Sequence, residues 1–185
     1  MFDKIDYSFL AALEGGSKTS GYVPAAGVSK SGVTIGTGFD LGQRSELDLK
    51  NLQLPIDLIA ILKPYLGKKA KDAQDALGKA PLTITATQAA IIDKAAKKAH
   101  MDSIKLKYDL VAENKKKFTD LPAERRPLLP LCHSNTAACW KREPPKFWKA
   151  AKSQSWKEYI KVLKNFGDAY PTRRMKEAAL LEKIK

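Results

Sequence analysis

Apolar positions over residues 5–14 fall on one helical stripe. Ile5, Phe9, Leu10 and Leu13 define it, Asp6 stands where a cap belongs, and Gly15-Gly16 ends it. The texture then changes, because eight of the eleven glycines lie between residues 15 and 42. They separate short β-prone pieces at 22–23 and 33–35, with turn signals at Val23-Pro24 and Ser31-Gly32. From about residue 45 the helical period returns and holds to the end. It predicts helices over 45–51, 56–66 (Ile56, Ile59, Leu62 and Leu66 on one face), 69–78 and 86–113, the last capped by Thr85 or Thr87. Further helices are expected over 122–133, 145–153, 155–165 and 171–184, with Lys115-Lys116-Lys117 as an exposed connection. There is no internal repeat and no low-complexity linker. The pattern therefore predicts one α+β domain over 1–185: a small N-terminal β-hairpin region, about 15–43, followed by a mainly helical bundle.

Composition narrows the class. The chain has 185 residues, 44% hydrophobic and 29% charged, which suits a folded soluble protein. No apolar run reaches the roughly 18 residues of a membrane span. The N-terminus lacks a basic n-region and a long apolar stretch, so a secretory signal is not expected and synthesis in the cytoplasm is. The net charge of +13 is uneven: residues 67–185 carry 27 of the 33 Lys and Arg. Such a field attracts polyanions (nucleic acid, anionic lipid, acidic wall polymers) or simply solvates a Lys-rich helical surface. Cys132 and Cys139, with His133 nearby, do not make a four-ligand zinc site, so no metal and no cofactor is expected. Their spacing is too wide for a disulfide across a regular helix, and buried thiols are the preferred reading.

The candidate chemistry is that of two carboxyl groups. Glycoside hydrolysis uses a pair of acids flanking the bond, one of them kept protonated by partial desolvation. Glu14 ends an apolar helix and opens onto Gly-rich backbone where a polysaccharide can approach. An acid at a helix C-terminus also opposes the helix dipole. Asp40 is the only carboxylate between Glu14 and Glu46. A hairpin through 33–39 would fold Asp40 and the Thr34 hydroxyl toward the end of the first helix. On residue types alone, ordinary roles stand beside this one: Glu14 as a surface acid, Thr34 as a strand residue, and Asp40 as a turn or capping residue before the 45–51 helix.

A resemblance bears on that choice. Phe9-Leu10-Ala11-Ala12-Leu13-Glu14-Gly15, then Gly21-Tyr22-Val23-Pro24, then the run from Ser31-Gly32-Val33-Thr34-Ile35-Gly36 to Leu41-Gly42-Gln43 resemble the active-site region of pesticin-type muramidase domains, relatives of the phage lysozymes. Residues Trp156, Leu163, Phe166-Gly167-Asp168, Tyr170, Arg173-Arg174 and Glu177-Ala178 are similar to that family's C-terminal helices. The resemblance implies a lysozyme-like fold and a peptidoglycan hydrolase that cuts between N-acetylmuramic acid and N-acetylglucosamine. Glu14 would protonate the departing oxygen, while Asp40 and Thr34 would position water or stabilise the cation. Phage relatives carry an aspartate between the glutamate and the threonine. Residues 15–33 hold no Asp or Glu here, so the second carboxylate falls to Asp40.

Tyr22 and Gln43 are candidate sugar contacts, by stacking and hydrogen bonding, with hairpin packing and a solvated helix start as their alternatives. Asn135 is a third candidate contact, at the place where relatives carry an Asn near the cleft. His133 has no assigned role, and Trp140, Trp148 and Trp156 read as helix-packing aromatics. The expected partners are bacterial peptidoglycan, anionic wall polymers and an immunity protein, acting in an antibacterial setting (endolysin, bacteriocin or effector) at the cell wall after lysis or delivery. Three rivals remain on residue types: a wall-binding domain without activity, a basic nucleic-acid-binding module, and a membrane-disrupting cationic protein. No recognition motif for nucleic acid accompanies the charge.

Overall fold

The computed structural model describes residues 16–24, 31–111, 117–121, 146–167 and 171–183. Within them, residues up to 99 form one compact unit and residues from 100 onward a second. The helices expected over 5–14 and over 122–133 lie outside the described residues, as do Cys132, His133, Asn135, Cys139 and Trp140.

The first unit begins with a three-stranded antiparallel sheet: β1 (Lys18–Tyr22), β2 (Thr34–Gly36) and β3 (Phe39–Asp40), in that spatial order. β1 starts four residues earlier than the apolar pattern predicts. Its sequence, KTSGY, has no alternation, and its first three residues are exposed. Hydrogen bonding defines it instead: one edge pairs with β2, and on the other Gly21 N–H donates to Leu82 O and Ile84 N–H to Thr19 O. β2 is central, so Val33 and Ile35 beside and within it are fully buried.

Four α-helices follow. α1 (Glu46–Asn51) opens with a reciprocal capping box between Ser45 and Asp48. α2 (Ile56–Leu62) stops short of the predicted 56–66 span and tightens into a 3-10 turn at Lys63–Tyr65. Pro64 is the cause, since it has no N–H to continue the ladder and its ring crowds the preceding turn. The buried stripe of α2 is Leu58, Ile59 and Leu62, whereas Ile56 is exposed, contrary to the predicted face. Two residues from Leu58 is about 200° around a helix, which places Ile56 opposite the core. α3 spans Ala70–Lys79 and α4 spans Ala86–Val111. Thr85, not Thr87, caps α4: its hydroxyl accepts Gln88 N–H at 3.1 Å while the Gln88 side chain accepts Thr85 N–H at 2.9 Å. The core of this unit joins Val33, Ile35 and Leu41 to Leu49, Leu58, Leu62 and Ile92.

α4 continues into the second unit, where Met101, Ile104 and Tyr108 are buried. A short 3-10 turn at Phe118–Asp120, not expected from periodicity, is tied to α4 because Phe118 N–H donates to the Asp109 carboxylate at 2.6 Å. Desolvation works against ionisation of Asp109, but hydrogen bonds from Lys105 and from Phe118 N–H outweigh it and lower its pKa. The helices α5 (Lys146–Lys152), α6 (Trp156–Lys164) and α7 (Pro171–Glu182) fall close to the predicted spans. Trp156 packs edge-to-face on Tyr159 with centroids 5.9 Å apart, in keeping with a packing aromatic. Arg174 and Glu177 of α7 form a buried ion pair at 2.9 Å, and Phe166 lies 4.4 Å under the Arg174 guanidinium. No helix among the described residues is long and apolar enough to cross a membrane. A mainly helical chain with a small antiparallel sheet near its N-terminus is the α+β, lysozyme-like architecture expected from the sequence.

Candidate active site

The sheet register brings three of the candidate residues together. Tyr22 of β1 is paired with Thr34 of β2, and Thr34 in turn with Asp40 of β3. Residues directly opposite across antiparallel strands share a face, with Cβ atoms about 4.5–5.5 Å apart. Tyr22, Thr34 and Asp40 therefore form one cross-strand row. Thr34 is buried at its centre, 3% exposed, and the two flanking residues are half-buried.

Backbone contacts hold the Asp40 end of this row. Asp40 Oδ1 accepts two N–H groups, from Gly42 at 2.8 Å and from Gly32 at 3.0 Å. The carbonyl of the same Gly32 accepts the Thr34 hydroxyl at 3.3 Å. Gly32 thus couples the aspartate to the threonine. Asp40 is also the turn residue expected before the 45–51 helix: it caps a 3-10 turn at Leu41–Gln43, while Ser45 caps α1 itself. Among the described residues, Oδ1 carries both hydrogen bonds that anchor the Asp40 side chain.

The anchoring depends on an unusually close backbone approach. A Cβ on Gly32 would lie 2.4 Å from Gly42 Cα and 2.6 Å from the Lys68 carbonyl oxygen. Only glycine fits, and the contact is closed by Gly67 N–H donating to Leu41 O and Ala70 N–H to Ser31 O. This segment, 67–70, also carries Lys69, whose Nζ lies 3.2 Å from Gln43 Oε1. The predicted contact residue Gln43 is thus exposed in the turn that Asp40 caps, with its amide engaged by a lysine. Tyr22 carries the Lys18 ammonium 4.2 Å from its ring centroid, and the Arg44 guanidinium lies 5.2 Å from that of Phe39. Three cations therefore stand around the sheet.

At the other end of the hairpin lies a carboxylate that periodicity did not single out. Asp93, on α4, accepts Thr37 N–H through Oδ1 and the Thr37 hydroxyl through Oδ2, both at 2.7 Å. The only sequence signal for it is an acid beside the buried positions Ala89 and Ile92. Glu14 and Asn135 lie outside the described residues.

Chemically, a carboxylate oxygen and a hydroxyl side by side can hold one water molecule with its lone pair turned outward. A neighbouring aromatic ring can stack on a pyranose. The pesticin family profile, described as a bacterial toxin homologue of phage lysozyme, C-terminal part, matches residues 4–157. That range takes in Glu14, Tyr22, Thr34, Asp40, Gln43 and Asn135, while the likeness seen in 158–178 falls beyond it. No curated protein matches the chain. With more than four-fifths of its length matched, the chain belongs to the pesticin family of bacterial toxin homologues of phage lysozyme.

Proposed function

We propose that this chain is a muramidase that hydrolyses the β-1,4 bond between N-acetylmuramic acid and N-acetylglucosamine in bacterial peptidoglycan, with residues 1–185 serving as one catalytic domain. Family membership supports the glycan-hydrolase class. The observation that carries the assignment to these residues is the pairing of Thr34 with Asp40, both tethered to Gly32.

In this reading Glu14 is the general acid and gives its proton to the leaving glycosidic oxygen. Asp40 and Thr34 orient the attacking water and offset the positive charge that develops at the anomeric carbon. Tyr22, Gln43 and Asn135 contact the sugars. The chemistry needs no cofactor and no metal. The basic surface of residues 67–185 holds the enzyme on anionic wall polymers while it cuts, and the protein acts at the wall as an antibacterial agent after release or delivery. A cognate immunity protein would protect the producer.

The test is mass spectrometry of fragments released from purified sacculi. The reading expects disaccharide muropeptides with a reducing N-acetylmuramic acid end. Intact sacculi that bind the protein without releasing fragments would make it a wall-binding module instead. Fragments ending in free stem peptides would make it an amidase or peptidase.

A further inference from the structure

We propose that Asp93 is a positioning residue for the hydrolytic site, clamping the β2–β3 hairpin so that Thr34 stays in register opposite Asp40. The proposal rests on the muramidase reading above. The turn joining the two strands is Thr37-Gly38, and Gly36 at the end of β2 and Gly38 both have left-handed backbone, φ +59° and +79°. Such a turn has little intrinsic preference to hold one shape, because glycine populates many. The strands it joins are only three and two residues long, too short to fix their own register.

Asp93 supplies the missing constraint from 56 residues away. Its two oxygens grip the tip by main chain and side chain at once, each at 2.7 Å. The fit is close: a Cβ on Gly36 would lie 2.6 Å from Asp93 Oδ1 and would push the carboxylate off the tip. Asp93 stands one residue from Ile92, which is fully buried in the core, so the clamp is mounted on a core-packed part of α4. The Thr34–Asp40 pair is thus fixed at both ends, by Gly32 and Gly42 on one side and by Asp93 on the other. A register slip of one residue would turn both side chains to the opposite face.

The experiment compares wild type, D93A, D93N and T37V, using amide hydrogen exchange over residues 33–41 and the kinetics of sacculus hydrolysis. Asn can still accept Thr37 N–H and can donate to the Thr37 oxygen, so D93N restores the clamp. In D93A the Thr37 amide should exchange at least about tenfold faster. kcat should fall about tenfold or more as the pair loses its placement, while half-saturation by wall stays within about twofold. D93N should recover to within about threefold of wild type on both readouts. If D93A fails to fold, T37V carries the test, since it removes one of the two bonds and should change both readouts in the same direction. Unchanged exchange in D93A overturns the clamp. Faster exchange with unchanged kcat overturns its role in the site. A wild-type protein that hydrolyses nothing refutes the muramidase reading, and the exchange data alone then decide whether Asp93 holds the hairpin.

Discussion

Replacing Gly32 by Ala tests the backbone contact on which the Asp40 anchor depends. The added Cβ meets Gly42 Cα at 2.4 Å and the Lys68 carbonyl oxygen at 2.6 Å, and both are main-chain atoms that no rotamer change can move aside. Restoring an ordinary carbon–carbon separation of about 3.5 Å requires the segments to part by about 1 Å. That displacement stretches the Gly32 N–H···Asp40 bond, now 3.0 Å, beyond useful length. Overpacking of this kind costs about 1–3 kcal/mol. Losing a hydrogen bond to a carboxylate costs about 1.5–3 kcal/mol. Together they predict a loss of about 2.5–6 kcal/mol, or roughly 5–24 °C in Tm for a chain of this length. Urea unfolding followed by circular dichroism measures it, and sacculus clearing below the new Tm measures the effect on the site. Hydrolysis should fall along with stability, since the Thr34 hydroxyl shares the same glycine. A G32A protein within about 0.5 kcal/mol of wild type would refute the argument, because that is the range of surface substitutions touching nothing.

Gly78 provides the opposite case. It lies inside α3 with open space around it, so G78A should stabilise the protein by about 0.5–1 kcal/mol, and a loss in urea unfolding would contradict that. Glu177 is fully buried against Arg174, and Arg173 reaches it at 3.1 Å. Truncation to Ala removes the carboxylate paired with a buried guanidinium and should cost about 3–5 kcal/mol; a cost below about 1 kcal/mol in urea unfolding would show the pair to be dispensable. Hydrogen bonds from Lys50 and then Lys63, together with their charge, pull the Glu46 carboxyl from its ordinary 4.5 to about 2. A depressed folded pKa adds stability above the unfolded value and loses it as pH falls through the folded one. The Tm of wild type should therefore exceed that of E46Q above about pH 4.5, with the gap closing toward pH 2. A gap independent of pH would reject the two Lys contacts as its source.

Much of the architecture was readable because helices carry their own period. The predicted spans 45–51, 69–78, 145–153 and 155–165 agree with α1, α3, α5 and α6 to within a residue or so at most ends. Where the reading slipped, a second influence overrode periodicity. Pro64 cut a helix that the apolar spacing would have extended, and β1 formed from polar residues because its backbone pairs on both edges. The hairpin was visible in its glycines, and so was the meeting of Thr34 with Asp40. The supports of that pair were not. Asp93, Lys68 and Lys69 approach from segments far along the chain, and local pattern says which face a residue lies on but not what it will meet. The dual nature of Asp40 was likewise hidden. It is a capping residue and a candidate for chemistry at once, and residue type alone presents these as alternatives.

The muramidase reading proposed above requires one acid able to protonate the leaving oxygen, and it gives that role to Glu14. Its most direct test is the initial rate of sacculus clearing by wild type and by Glu14→Gln, at equal folded concentration verified by circular dichroism. Removing a general acid costs about 10²- to 10⁴-fold. The account predicts that Glu14→Gln keeps its fold and its wall binding while clearing at least about a hundredfold more slowly. Clearing at the wild-type rate would contradict it and move the catalytic acid elsewhere in the chain.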